Sequence, residues 1–161
     1  MVTDSPDLLP ADLSALQAYV PHMAGKAVLV VGDIMLDRFV YGDVHRISPE
    51  SPVPVLSIRR ETLMLGGAGN VLSNLHGLGL KAHVVAVLGN DAEAAQVRHL
   101  AAERGADPVT LIAAEDRPTT VKTRFLASNQ QLLRTDYERI VPVAEGLEKT
   151  LIEAALSLVP Q

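Results

Sequence analysis

Cysteine is absent from the 161 residues, which excludes a disulfide framework and thiolate chemistry. There is no basic surplus either. Fourteen lysines and arginines stand against 19 aspartates and glutamates, a formal net charge of −5, so the footprint of a nucleic-acid binder is missing. No apolar run reaches the ~18 residues of a membrane span. The opening residues carry Asp4, Asp7 and Asp12 in place of a signal peptide's basic and apolar regions. No Gly-Lys-Ser/Thr follows a glycine cluster, which excludes a P-loop. No Gly-x-Ser-x-Gly elbow occurs. His22, His45, His76, His83 and His99 show no zinc-ligand spacing. These absences leave a cytoplasmic protein as the expectation, without a metal site and without nucleic-acid or membrane partners. What is present fits a globular chain: 48 % of residues are hydrophobic and 20 % charged. The length suits one domain that buries roughly two-thirds of its unfolded surface.

The stretch Gly66-Gly67-Ala68-Gly69-Asn70 stands directly before an apolar helical pattern. Glycine serves where the backbone takes φ > 0 or must approach something closely. Asn70 can cap the helix or offer its amide to a ligand. A helix N-terminus there would seat hydroxyls or an anion. The same pattern also fits a tight strand-to-helix turn with no ligand at all.

Around this turn the chain alternates strand and helix. Residues 1–25, with Pro6, Pro10 and Pro21, read as an N-terminal extension holding one helix over 8–20. Residues 27–31 (AVLVV) suit a central parallel strand buried on both faces. Asp33 and Asp37 follow where ligands bind in an open α/β sheet, beyond a strand's carboxyl end. Asp33 could equally cap a turn. Residues 71–80 predict a helix with Val71, Leu75 and Leu78 on one face. Residues 81–88 predict a strand, 92–104 a helix capped by Asp91, and 109–112 a further strand. Residues 145–158 predict an amphipathic helix. Ending on a crossover helix without a returning strand implies that the natural protein continues.

Two segments break the alternation. Residues 39–58 carry Gly42, Pro49, Pro52 and Pro54 and read as a pair of exposed strands. Residues 119–137 read as a hairpin turning at 128–131. Lys122 and Arg124 point from one face of it, about 7 Å apart at ~3.3 Å per residue. With Arg134 they would suit a phosphate. An ordinary solvated hairpin carries such charges too. The dinucleotide-binding fingerprint is matched only in part: Gly67-Ala68-Gly69 opens a helix and Asp91 follows about twenty residues on, but Leu72 stands where the fingerprint asks for glycine or alanine.

The motif Gly66-Gly67-Ala68-Gly69-Asn70-Val71-Leu72-Ser73 resembles the first signature of the ribokinase-like (PfkB) carbohydrate kinases. Residues 31–56, 66–79 and 120–138 resemble, within that family, the heptose 7-phosphate kinases of lipopolysaccharide synthesis. The resemblance covers residues 26–136. It implies a three-layer α/β/α fold with a mostly parallel sheet and a small β lid from segments 36–58 and 119–137. Residues 26–161 would then be the N-terminal half of the kinase domain. It implies transfer of the γ-phosphoryl of ATP, with Mg²⁺, to the anomeric hydroxyl of D-glycero-D-manno-heptose 7-phosphate, and a homodimer through the lids. Asp33, Asp37, Gly66, Gly67 and Asn70 would hold the sugar. Lys122, Arg124, Asn129, Gln130 and Arg134 would hold the heptose and its phosphate. The family's second signature, Asp-Thr-Gly-Ala-Gly-Asp, does not occur, so the catalytic base is expected outside this chain and the chain alone is expected to be inactive. The alternatives are a dinucleotide-binding half of an oxidoreductase and a non-catalytic dimerisation module.

Overall fold

The computed structural model describes residues 19–105, 109–128 and 130–159. The helix expected over 8–20 lies outside them save for its last two positions, and so does Asn129. In chain order the elements are α1 (Val20–Met23), β1 (Ala27–Val31), β2 (Ile34–Ile47), β3 (Pro54–Gly67), α2 (Ala68–Gly77) and β4 (Lys81–Leu88). They continue with α3 (Ala92–Glu103), β5 (Val109–Ala113), β6 (Val121–Ala127), β7 (Gln130–Tyr137) and α4 (Glu145–Ser157).

The apolar runs form a parallel three-stranded sheet in the order β1-β4-β5. Such a sheet needs cover on both faces. On one face Ala82, Val84, Ala86 and Leu88 meet Leu72 of α2 and Val97 and Ala101 of α3 in a single buried cluster. On the other, Val85 and Val87 look towards Leu151 of α4. The layering is therefore helix, sheet, helix.

The remaining strands form a second sheet, ordered β3-β2-β6-β7. It is mixed, where the exposed strand pair and the hairpin read from the sequence would each by itself be antiparallel. β2 runs antiparallel to β3 and β6 antiparallel to β7, but β2 and β6 are parallel, with Asp37 beside Lys122 and Phe39 beside Arg124. The cause is connectivity. The chain leaves this sheet through α2, crosses β4, α3 and β5, and re-enters beside β2 in the same direction; no hairpin joins β2 to β6.

Two expected boundaries shift. β3 does not end at Ile58 but runs on to Gly67. Its middle, Arg59 to Glu61, is exposed on an edge strand, where neither face demands the apolar alternation that marks a strand in sequence. α2 starts at Ala68, so the glycine turn supplies its first turn. The buried positions are then Ala68, Gly69 and Leu72, with Leu75 partly buried. Val71 and Leu78, expected on the inner face, are exposed. Gly69 gave no apolar signal in sequence, yet a Cβ there would meet Leu65 Cβ at 2.7 Å.

Candidate functional site

The site grows from the corner where β1 passes through Gly32-Asp33 into β2. β2 and β3 pair along their whole length, setting Ile34 opposite Gly67 and Met35 opposite Gly66. Gly67 takes φ +57°, a conformation strained for any side chain, and a Cβ there would strike the Asp33 carbonyl. That carbonyl instead accepts the Ala68 N–H at 2.8 Å, which fixes where α2 begins. Gly66 leaves room for an acid: a Cβ on it would lie 2.6 Å from Asp37 Oδ2. Asn70 does not cap α2, whose N-cap Gly67 has no side-chain bond. It stands exposed in the first turn, on the rim of a cavity.

That cavity, about 350 Å³, is lined by Asp37, Gly66, Gly67 and Asn70 together with Phe39, Met64, Ser73 and Arg104 among others. Four of the expected sugar residues thus converge. Phe39 was legible as the next same-face residue after Asp37, and Ser73 as the position three after Asn70 on α2. Met64 reaches the cavity as the β3 residue opposite Asp37. Arg104 follows the end of α3 and reaches the cavity only through helix packing, which leaves no local trace in sequence.

The other expected residues fall elsewhere. Asp33 is exposed and lines a separate cavity of about 420 Å³ with Arg117, Thr120 and Glu138. Its link to the sugar turn is its carbonyl. Gln130 pairs with Ala127, which pairs with Gly42, five residues beyond Asp37 along the ladder and so about 16 Å away. It belongs to β7 and not to a turn.

The three cations are not free. Arg124 Nη1 donates to Asp37 Oδ1 at 2.5 Å, and its guanidinium lies 5.1 Å from the Phe39 ring centroid. Lys122 Nζ donates to Asp136 at 3.1 Å and to Glu138 at 3.4 Å. Arg134 Nε lies 2.9 Å from Asp136. The Lys122 hydrogen bond holds the Asp136 carboxyl below its usual range, and the Asp136 contact in turn raises Lys122. Three carboxylates therefore balance three cations across β2, β6 and β7. Of the acidic partners only Asp136 leaves a local trace in the sequence, two residues after Arg134 on the same strand face.

Asp91 does not serve as a ribose acceptor. Its Oδ1 accepts the Ala94 N–H and its Oδ2 the Thr119 N–H, each at 2.8 Å. Both oxygens are spent on capping α3 and tying it to the strand entering the lid. This removes the acidic residue that a dinucleotide site would use.

Asp37 on β2 and Asn70 just behind the glycine turn line one cavity of an α/β fold, an arrangement whose donors and acceptors suit a small polar ligand. Residues 26–145 match the pfkB family carbohydrate kinases, and the chain belongs to that family. It is 49 % identical over 150 residues to Bifunctional protein HldE of Paramagnetospirillum magneticum, covering 93 % of this chain and 31 % of that one. It is 47 % identical to Bifunctional protein HldE of Hyphomonas neptunium, covering 86 % and 29 %. The chain thus spans about a third of the length of these relatives. Among solved structures, a carbohydrate kinase from Agrobacterium tumefaciens superposes with a TM-score of 0.55 at 24 % identity, over 69 % of this chain and 35 % of that one. The microbiome-derived acarbose kinase Mak1 gives 0.53 at 21 %, over 81 % and 43 %. The fold is ribokinase-like. No helix among the described residues is long and apolar enough to cross a membrane.

Proposed function

We propose that the chain is the acceptor-sugar part of a cytoplasmic kinase acting on D-glycero-D-manno-heptose 7-phosphate. The whole enzyme would move the γ-phosphoryl of ATP to the anomeric hydroxyl, giving the 1,7-bisphosphate for ADP-heptose and lipopolysaccharide core synthesis. The observation that carries this reading is the convergence of Asp37, Gly66, Gly67 and Asn70 on one cavity. An ionised Asp37 accepts hydrogen bonds only, which suits sugar hydroxyls, and Asn70 can both donate and accept. The pfkB match and the HldE relatives support the kinase class and its heptose branch.

Lys122, Arg124 and Arg134 are the cations assigned to the distal phosphate, with Gln130 further out on the same hairpin. Asn129, outside the described residues, is assigned to the heptose by the family resemblance alone. ATP and Mg²⁺ belong to the whole kinase. Among the described residues no three His, Cys, Asp or Glu side chains stand together as a metal site. In this reading the chain by itself transfers no phosphoryl group, because the Asp-Thr-Gly-Ala-Gly-Asp stretch that carries the family's base is not in its sequence. Two copies are proposed to pair through their lids.

Calorimetric titration with heptose 7-phosphate, ATP and NAD tests the assignment. Binding of heptose 7-phosphate is expected; binding of NAD alone would overturn it. A turnover assay on the same chain is expected to give no product, and sugar-dependent ATP consumption would refute the inactivity.

A further inference from the structure

The hydroxyl-binding acid and the phosphate-binding cation of the proposed site are bonded to each other. Arg124 Nη1 takes Asp37 Oδ1, and the other oxygen, Oδ2, is packed against Gly66. Both side chains are four-fifths buried in this arrangement. A neutral sugar hydroxyl approaching Asp37 therefore meets a carboxylate whose charge is already compensated. Drawing Arg124 away strands a largely desolvated guanidinium, and that is costly unless another anion receives it. The neighbouring carboxylates cannot do so. Asp136 and Glu138 are engaged by Lys122, and Asp136 also by Arg134.

A second observation says where such an anion would sit. Arg124 and Arg134 are direct cross-strand partners on β6 and β7. Each holds its own carboxylate, Arg124 that of Asp37 and Arg134 that of Asp136, and two guanidinium groups directly opposite one another are placed to grip one phosphate together.

Resting on the sugar-phosphate reading above, we propose that Arg124 is a specificity determinant shared between Asp37 and a phosphate seat formed with Arg134. A phosphorylated sugar draws Arg124 towards its phosphate and frees Asp37 for its hydroxyls. An unphosphorylated sugar has to compete with Arg124 for the same oxygen. Phosphate and hydroxyl recognition are thereby coupled, and the site rejects unphosphorylated sugars more strongly than one lost phosphate contact would.

The test is calorimetric affinity for heptose 7-phosphate and for the unphosphorylated heptose, in the unsubstituted protein and in Arg124→Met. Methionine keeps contact with Phe39 and removes the charge. The phosphorylated sugar is expected to bind about tenfold or more weakly. The unphosphorylated sugar is expected to bind more tightly, by about fivefold, because its competitor is gone. Should Arg124→Met fail to fold, Arg124→Gln is expected to move the two affinities in the same opposed directions. An unphosphorylated affinity that stays constant would make Arg124 a phosphate ligand only and overturn the coupling while leaving the heptose assignment standing. Weakening of both sugars alike would make it a structural residue, with the same consequence for the coupling. Failure of the unsubstituted protein to bind either sugar would remove the heptose assignment and the coupling together.

Discussion

Asp91 shows how one side chain can join two parts of the fold. Its carboxylate caps α3 and receives the N–H of Thr119, whose buried hydroxyl in turn accepts the Gly89 N–H at 3.0 Å. Burial pushes the Asp91 carboxyl up, but the N–H groups of Thr119 and Ala94 outweigh it and hold the group below its ordinary value. A depressed carboxyl contributes stability in full above the unfolded value of about 3.9 and loses it as pH falls through the lower folded value. Urea midpoints should therefore fall as pH drops below about 4, and the dependence should be flatter in Asp91→Asn. Asp91→Ala should cost about 1–3 kcal/mol, a lost cap plus a stranded buried N–H. A cost below about 0.5 kcal/mol would mean that water replaces the carboxylate at both sites.

At the scale of the element, α2 is the helix whose orientation matters most, since its first turn carries Gly69 and Asn70. Its buried side chains are Ala68 and Leu72, with Leu72 fully enclosed and Val71 45 % exposed. Leu72→Ala should cost about 2–5 kcal/mol by the cavity it leaves. Val71→Ala should change stability by no more than about 0.5 kcal/mol. Equal effects in chemical denaturation would mean that the helix is rotated from the face described. The same comparison explains an element that was only half legible. The spacing of Val71, Leu75 and Leu78 is helical, and a helix is there. Its inner face was set by Gly69, which fits under Leu65 and Ile34 because it has no side chain.

At the scale of the whole molecule, the two sheets are joined by the linkers from β5 to β6 and from β7 to α4, and these linkers are fastened together. Arg117 donates to the carbonyls of Pro142 at 3.0 Å and Val141 at 3.4 Å, while Arg139 donates to the Asp116 carbonyl. The Arg117 side chain is only 13 % exposed while Val141 and Pro142 are exposed, so its loss removes a packed side chain and two hydrogen bonds that water replaces only in part. Arg117→Ala should lower stability by about 1–2 kcal/mol and open residues 138–144 to protease. An unaltered cleavage pattern would show that the linkers hold together without it.

The sequence by itself determined whatever depends on near neighbours along the chain. Residues 81–88 read as a buried parallel strand because a strand covered on both faces needs an unbroken apolar run, and β4 is the central strand. Residues 27–31 read the same way, but β1 is parallel at the sheet edge with Ala27 and Val31 exposed, since which strand lies in the centre is set by strand order and not by the run itself. Asp91 read as a cap and the glycine turn as a strand-to-helix junction because both answer to backbone geometry within a few residues. The family resemblance, carried by motifs at separate places, added Asp37, Gly66, Gly67 and Asn70 as one site, and these do line one cavity. The tertiary structure decided the rest. It made β2 and β6 parallel, since strand direction in a mixed sheet depends on what lies between the strands. It sent Asp33 and Gln130 away from the sugar cavity and brought Arg104 to it. It also set Arg124 on Asp37, 87 residues away, converting two separate binding groups into one ion pair. Pairings of this kind are set by register between strands distant in sequence, and no local pattern records a register.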